Sequence, residues 1–246
     1  MEQVRFSERE QPRVLLVALS GIGNFLMASP LFQFLKDANP TAHIDVLVSP
    51  RGAADIAAGN PRIRRILSGS AKPRGSEWAR IVATIRHGKY DVGFVTHPGQ
   101  LIASASLLFF GGVRRRIGHR YSWSALHNAA LFLTDGVSLH EHSALPLTDR
   151  AAHDVVQNLR LLEPLGISVH PEQAVYDFPL GPADHARADA WKTVHGLQTS
   201  TLVGIHPGAH ADLAYKRWPA ERWAALADRI AEHVQTTILV FGGPDD

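Results

Sequence analysis

The chain has 246 residues, 45% apolar and 20% charged, with no cysteine and a formal charge of +2. That composition excludes disulfides, thiolate catalysis and cysteine-ligated zinc, and so small a charge gives no ground for a nucleic-acid partner. The polar N-terminus MEQVRFSEREQPR has no apolar signal-peptide core, and Leu101 to Phe110 is too short a run to span a bilayer, so a soluble, cytoplasmic chain is expected, with peripheral membrane contact left open.

Apolar runs and helix-like patterns alternate from the start. Arg13–Leu19 reads as a buried strand and Asn24–Ala38 as a helix, with apolar residues at 25, 26, 31, 32 and 35. His43–Val48 reads as a strand, Ala53–Ala58 as a helix and Ile63–Leu67 as a strand, punctuated by Pro50-Arg51-Gly52 and Gly59-Asn60-Pro61. Trp78–His87 is the next helix and Asp91–Thr96 the next strand. An apolar helix then leads to GGVRRRIGH (111–119), three arginines before an expected edge strand. TDRAAHDVVQNLRLLEPLGI (148–167) predicts one long helix, begun by Thr148 or Asp149 and closed at Gly166.

The proline-containing stretch 168–182 has no clear period and reads as an interdomain linker. Beyond it Asp184–His195 reads as a helix, Leu202–His206 as a strand, Ala220–Val234 as a helix and Thr237–Phe241 as a strand. Such alternation predicts parallel sheets covered on both faces. The expected division is an N-terminal Rossmann-like domain over 1–175 and the beginning of a second over 176–246.

Ser20-Gly21-Ile22-Gly23 after the first strand starts like a dinucleotide-binding loop. That fingerprint needs a third glycine and an acid about 20 residues on to hold a ribose. Leu26 occupies the third position, and the second strand ends at Val48-Ser49-Pro50 without an acid, so no nicotinamide or flavin cofactor is expected. In the second half, a strand runs into His206-Pro207-Gly208-Ala209, and Lys216-Arg217-Trp218-Pro219 precedes a helix. Two cations at a helix entrance, where free N–H groups favour an anion, suit a diphosphate.

Together these features resemble glycosyltransferase family 9, which includes the ADP-heptose:lipopolysaccharide heptosyltransferases. The resemblance rests on S-x-x-G-(D/N) after the first strand, a helix ending at Ala38-Asn39-Pro40, P-G-A followed by K-x-W-P, and the Gly242-Gly243-Pro244 strand end. It is strongest over 13–66 and 203–244. It implies an α/β GT-B architecture of two Rossmann-like domains, and inverting sugar transfer with neither metal nor cofactor. The implied partners are a nucleotide-sugar donor of the ADP-heptose kind and a glycan or lipid-linked glycan acceptor at the inner membrane. By position, Lys216 would face the donor diphosphate. His206, Gly208 and Ala209 would form part of its loop, with Asp246 near the acidic position that meets the ribose. Ser20, Gly21 and Gly23 would form an acceptor-side turn.

Two departures matter. Where the family carries an aspartate that can act as base, this chain has Asn24, and an amide takes no proton at neutral pH. The D-S-G-x-x-H segment of the donor site is also absent from these 246 residues, so the second domain is expected to be incomplete. Asn24 would then orient an acceptor hydroxyl while another group takes its proton. His97, after the fourth predicted strand, is the candidate base, because its ordinary pKa suits neutral pH. The alternatives are a non-catalytic sugar-nucleotide or glycan-binding module and, more remotely, an oxidoreductase. His140, His142 and His153 are too loosely arranged for a metal site. The arginine run reads as a solvated face, and Trp218 and Trp223 read as packing.

Overall fold

Continuous apolar runs such as Val14 to Leu19 suit strands covered on both faces, and they set the architecture. The computed structural model describes residues 9–50, 52–70, 72–99, 101–121, 130–139, 153–209 and 215–243. Its first six strands are β1 (Arg13–Ala18), β2 (His43–Val48), β3 (Ile63–Ser68), β4 (Val92–Val95), β5 (Arg115–Arg120) and β6 (Asp135–Ser138). They form one parallel sheet in the order β3-β2-β1-β4-β5-β6. β1 lies opposite β2 from Arg13↔His43 to Ala18↔Val48, and opposite β4 from Val14↔Val92 to Val17↔Val95. Val14, Leu16 and Ala18 face one core with residues of α1 (Ile22–Ala28), α2 (Pro30–Ala38), α3 (Ala53–Ala58) and α6 (Asp154–Arg160). Leu15, Val17 and Leu19 face the other, with α4 (Gly75–Gly88) and α5 (Leu101–Phe110).

Three elements differ from expectation. The helix expected over 24–38 is two helices that meet at Ser29. Pro30 has no N–H to continue the ladder, and Ser29 Oγ donates to the Leu26 carbonyl instead. β5 is not an edge strand, since β6 pairs outside it, Ile117↔Asp135 to Arg120↔Ser138; Asp-Gly-Val-Ser is too short and polar to read as a strand from sequence. The helix expected over 148–167 is described from Asp154 to Arg160, and 148–152 lie outside the described residues. Pro164 turns the chain into a tighter helical turn that closes at Gly166, whose φ of 71° favours glycine.

The stretch after α6 lies against this sheet unit. The Asp177 N–H donates to Ser29 Oγ, Asn60 Nδ2 donates to the Asp177 carbonyl, and Arg62 pairs with the Asp177 carboxylate at 3.0 Å. The first compact unit therefore reaches Leu180, and the second begins at Gly181. The second unit holds α7 (Pro182–Val194), β7 (Leu202–Ile205), α8 (Ala220–His233) and β8 (Thr237–Val240), with β7 and β8 parallel. Among the described residues no helix is long and apolar enough to cross a membrane.

Inside the first unit the Asp45 carboxylate is fully buried. Arg64 grips it from Nε and Nη2 at 2.9 and 2.6 Å, and the Tyr90 hydroxyl donates to it at 2.6 Å. Burial, and then Asp45, push the Tyr90 phenol well above its ordinary range. Arg64→Ala should cost about 3–5 kcal/mol, the scale of an orphaned buried charge. Tyr90→Phe should cost only about 1–3 kcal/mol, because the arginine remains. Urea unfolding of both variants checks that order.

His119 is buried on β5, with Nδ1 3.2 Å from the Val137 carbonyl and Nε2 3.0 Å from that of Gln157. Burial, and then the neighbouring His97, lower its pKa to about 4, against the two carbonyls. The unfolded imidazole titrates near 6.5, so between these values the unfolded chain binds more protons. The stability tied to a neutral His119 is complete above about pH 6.5 and falls as pH drops toward 4, by about 3 kcal/mol in all. Urea midpoints at pH 7.5 and 4.5 should therefore converge in His119→Gln relative to wild type.

Candidate active site

Strand order reverses between β1 and β4: after β1 the chain moves outward through β2 and β3, then crosses back. Neighbouring strands whose connections depart to opposite faces leave a crevice at their carboxyl ends. Ser20 and Gly21 follow β1 at that crevice, and His97 follows β4.

Ser20 Oγ is buried and has no hydrogen-bond partner among the described residues. Gly21 is the N-cap of α1 with extended backbone (φ −67°, ψ 172°), and no side chain caps the helix. Neither Gly21 nor Gly23 adopts positive φ, and a Cβ at either would meet open space. The turn thus needs no special backbone freedom here; the glycines leave the first turn of α1 bare. Asn24, in that turn, is half-buried, and its side chain has no partner among the described residues.

His97 is held from several sides. Its N–H donates to Asn158 Oδ1 at 2.8 Å, and Asn158 Nδ2 donates back to the His97 carbonyl at 2.8 Å and to the Asp154 carbonyl at 2.9 Å. One carboxamide thereby fixes the backbone on both sides of the imidazole. Nδ1 lies 2.8 Å from the Tyr121 hydroxyl, and Nε2 lies 3.4 Å from Asp154 Oδ1. A carboxylate facing Nε2 favours the tautomer protonated there, which leaves Nδ1 to accept from the phenol. The ring stacks on Tyr121 and meets His119 edge-on at 5.3 Å between centroids. Burial lowers the His97 pKa, against Asp154, which raises it, and burial lifts the Tyr121 phenol to about 12. With 15% of the His97 side chain exposed against 40% for Asp154, the carboxylate is the more accessible end.

In the second unit, His206-Pro207-Gly208-Ala209 leaves the end of β7. Arg217 closes on this loop, donating from Nε and Nη2 to the Ala209 carbonyl at 3.2 and 2.6 Å. Lys216 is exposed, its ammonium 6.0 Å from the Tyr215 ring centroid and with no carboxylate partner among the described residues. The two adjacent cations therefore differ, one bound into the loop and one available. Pro219 is the N-cap of α8 rather than its first helical residue. Trp218 and Trp223 pack edge-to-face at 5.3 Å. Asp246, His140 and His142 lie outside the described residues. His153 caps α6 by accepting from the Val155 N–H, and no metal-binding cluster occurs among the described residues.

Of the arginine run, Arg114 is exposed as a solvated face would be, whereas Arg115 and Arg116 are drawn into the fold. Arg115 grips Asp135 and the Pro164 carbonyl; Arg116 donates to the Phe132 and Val113 carbonyls and lies over the Phe109 ring. Tyr121, Asp154 and Asn158 escaped the sequence reading. Their signal was weak: Tyr121 two residues after His119 and just past the end of β5, and Asp154 and Asn158 four apart on α6.

The family model described as glycosyltransferase family 9 (heptosyltransferase) matches residues 78–246, well over half the chain. Lipopolysaccharide heptosyltransferase 2 of Salmonella typhimurium is 26% identical over 245 residues, 95% of this chain and 64% of that protein. Lipooligosaccharide heptosyltransferase 2 of Haemophilus ducreyi is 24% identical over 242 residues, with the same shares. This chain thus spans 64% of the length of these curated relatives. Among solved structures, a family 9 glycosyl transferase from Veillonella parvula superposes with a TM-score of 0.75 at 22% identity, over 96% of this chain and 63% of that one. The E. coli heptosyltransferase WaaC with ADP superposes at 0.66 and 20% identity, over 95% of this chain and 68% of that one. These structures share the parallel α/β fold of the GT-B type, only part of whose second domain is present here. Fold, motif order and family model agree: the chain belongs to glycosyltransferase family 9.

Proposed function

We propose that this chain serves an inverting glycosyltransferase that moves a sugar, of the heptose kind, from a nucleotide-sugar donor to a lipopolysaccharide-type or other glycan acceptor. The family match carries this reading. The heptosyltransferase names of the relatives and the ADP of the WaaC structure support the choice of sugar and nucleotide. In this reading the second unit takes the donor, with Lys216 and the amides of the His206–Ala209 loop meeting the diphosphate and Asp246 the ribose. The rim of the first unit takes the acceptor, with Asn24 orienting its hydroxyl beside the bare turn at Ser20, Gly21 and Gly23. His97 governs removal of the hydroxyl proton. Charge on the departing diphosphate is met by preorganised donors, which act most strongly as that charge develops. Cytoplasmic residence with peripheral inner-membrane contact fits a lipid-linked acceptor.

Lys216→Ala in the full-length protein should weaken ADP-heptose binding by about 1.5–3 kcal/mol, the scale of a charge-assisted hydrogen bond. Calorimetric titration with ADP and UDP sugars measures this, and unchanged affinity would leave Lys216 a surface charge. His97→Ala should leave donor affinity alone and lower kcat on the order of a hundredfold. Donor binding without transfer by any variant would favour the binding-module reading.

A further inference from the structure

Asn24 carries an amide that takes no proton at neutral pH, and His97 has both ring nitrogens engaged. Where the acceptor proton goes is therefore open, and packing around α6 answers it. Asp154 lies beside His97 at the carboxyl rim, whereas Pro164, beyond the end of α6, accepts from Arg115 at the start of β5. The α6 segment thus descends from the carboxyl rim toward the amino rim. α1 does the same, because it leaves the carboxyl end of β1, and the two helices pack on each other. Asn158 Nδ2 reaches the Met27 carbonyl at 3.5 Å, which sets their register. One turn back from Met27 is Asn24, and one turn back from Asn158 is Asp154. The first turns of two parallel neighbours therefore bring an amide and a carboxylate to the same rim.

Resting on the glycosyltransferase reading, we propose that Asp154 is the proton acceptor of the transfer reaction, taking the role that Asn24 cannot fill, with His97 as its positioning residue. In the step, the acceptor oxygen forms a bond to the anomeric carbon and its proton passes to a carboxylate oxygen of Asp154. The bond from that carbon to the donor diphosphate breaks, and its electron pair leaves on the nucleoside diphosphate. His97 aims the carboxylate through Nε2 and is itself fixed by Tyr121 at Nδ1 and by Asn158 along its backbone. This arrangement uses the carboxylate as base and the imidazole as its holder, the inverse of a histidine base held by an aspartate.

The test measures kcat and both KM values of the full-length protein with a nucleotide-sugar donor and a glycan acceptor. Asp154→Asn keeps the side chain's shape; its kcat should fall about a hundredfold, with both KM values nearly unchanged. Adding Asn24→Asp to Asp154→Asn should restore at least a tenth of the wild-type rate, since a carboxylate returns to the adjacent turn. His97→Ala should likewise lower kcat with both KM values nearly unchanged, since the carboxylate loses the group that aims it. No other substitution beside Asp154 should show this rescue by position 24. An Asp154→Asn enzyme with wild-type kcat overturns the assignment alone. So does a loss that Asn24→Asp fails to restore, which marks a structural carboxylate. A wild type that binds donor yet transfers to no acceptor overturns the glycosyltransferase reading and this assignment with it.

Discussion

Two neighbouring strands whose connections leave to opposite faces must part at their carboxyl ends, and in the first unit those strands are β1 and β4. The reversal decides which loops can share a site. It sets the turn at Ser20 and Gly21 beside the loop carrying His97, although 76 residues separate Gly21 from His97 in the chain. α6 enters the same region through Asn158, whose amide bonds both sides of the His97 peptide backbone and the α1 carbonyl of Met27. A carboxamide suits this role because it offers acceptor and donor in one plane and carries no charge to be neutralised. Loss of Asn158 would orphan buried backbone groups of the loop it organises.

The polar groups of this unit divide by what surrounds them. Asp45, Arg64 and Tyr90 bind one another, with the Asp45 carboxylate fully buried between its two donors. Arg115 and Arg116 are likewise consumed by Asp135 and by main-chain carbonyls. At the carboxyl rim Ser20 Oγ, the Asn24 carboxamide and the partly exposed Asp154 carboxylate retain unused capacity. A buried hydroxyl without a partner costs free energy, and in Ser20 that cost sits beside a bare helix turn. The same contrast recurs in the second unit, where Arg217 is spent on the Ala209 loop and Lys216 is not.

Much of the fold was legible in the sequence because it depends on short-range pattern. The apolar run at 14–19 and the segments 43–48 and 53–58 read directly as buried strands and a helix, and Lys216-Arg217-Trp218-Pro219 as the approach to α8. The family, too, was present in the order of its motifs, since S-x-x-G-N, A-N-P and P-G-A are each written in a few neighbouring residues. Misreadings fell where a competing local signal won. Pro30 broke a helix whose apolar period continues through it, and β6 was hidden because four residues with Asp and Gly carry almost no strand signal.

What the sequence determined alone, then, was the class of fold, the family, and the absence of a carboxylate at position 24, each written in neighbouring residues. Which side chains gather at the carboxyl rim was decided only by tertiary structure. Asp154, Tyr121 and His97 come from three separate segments, brought together by strand order and by the packing of α6 on α1. The division of labour between Arg217 and Lys216 was equally invisible, since adjacent cations look alike until a backbone carbonyl eight residues away claims one of them. Periodicity specifies which face of an element is buried. It says nothing of which distant element buries it, and the chemistry of this site depends on that choice.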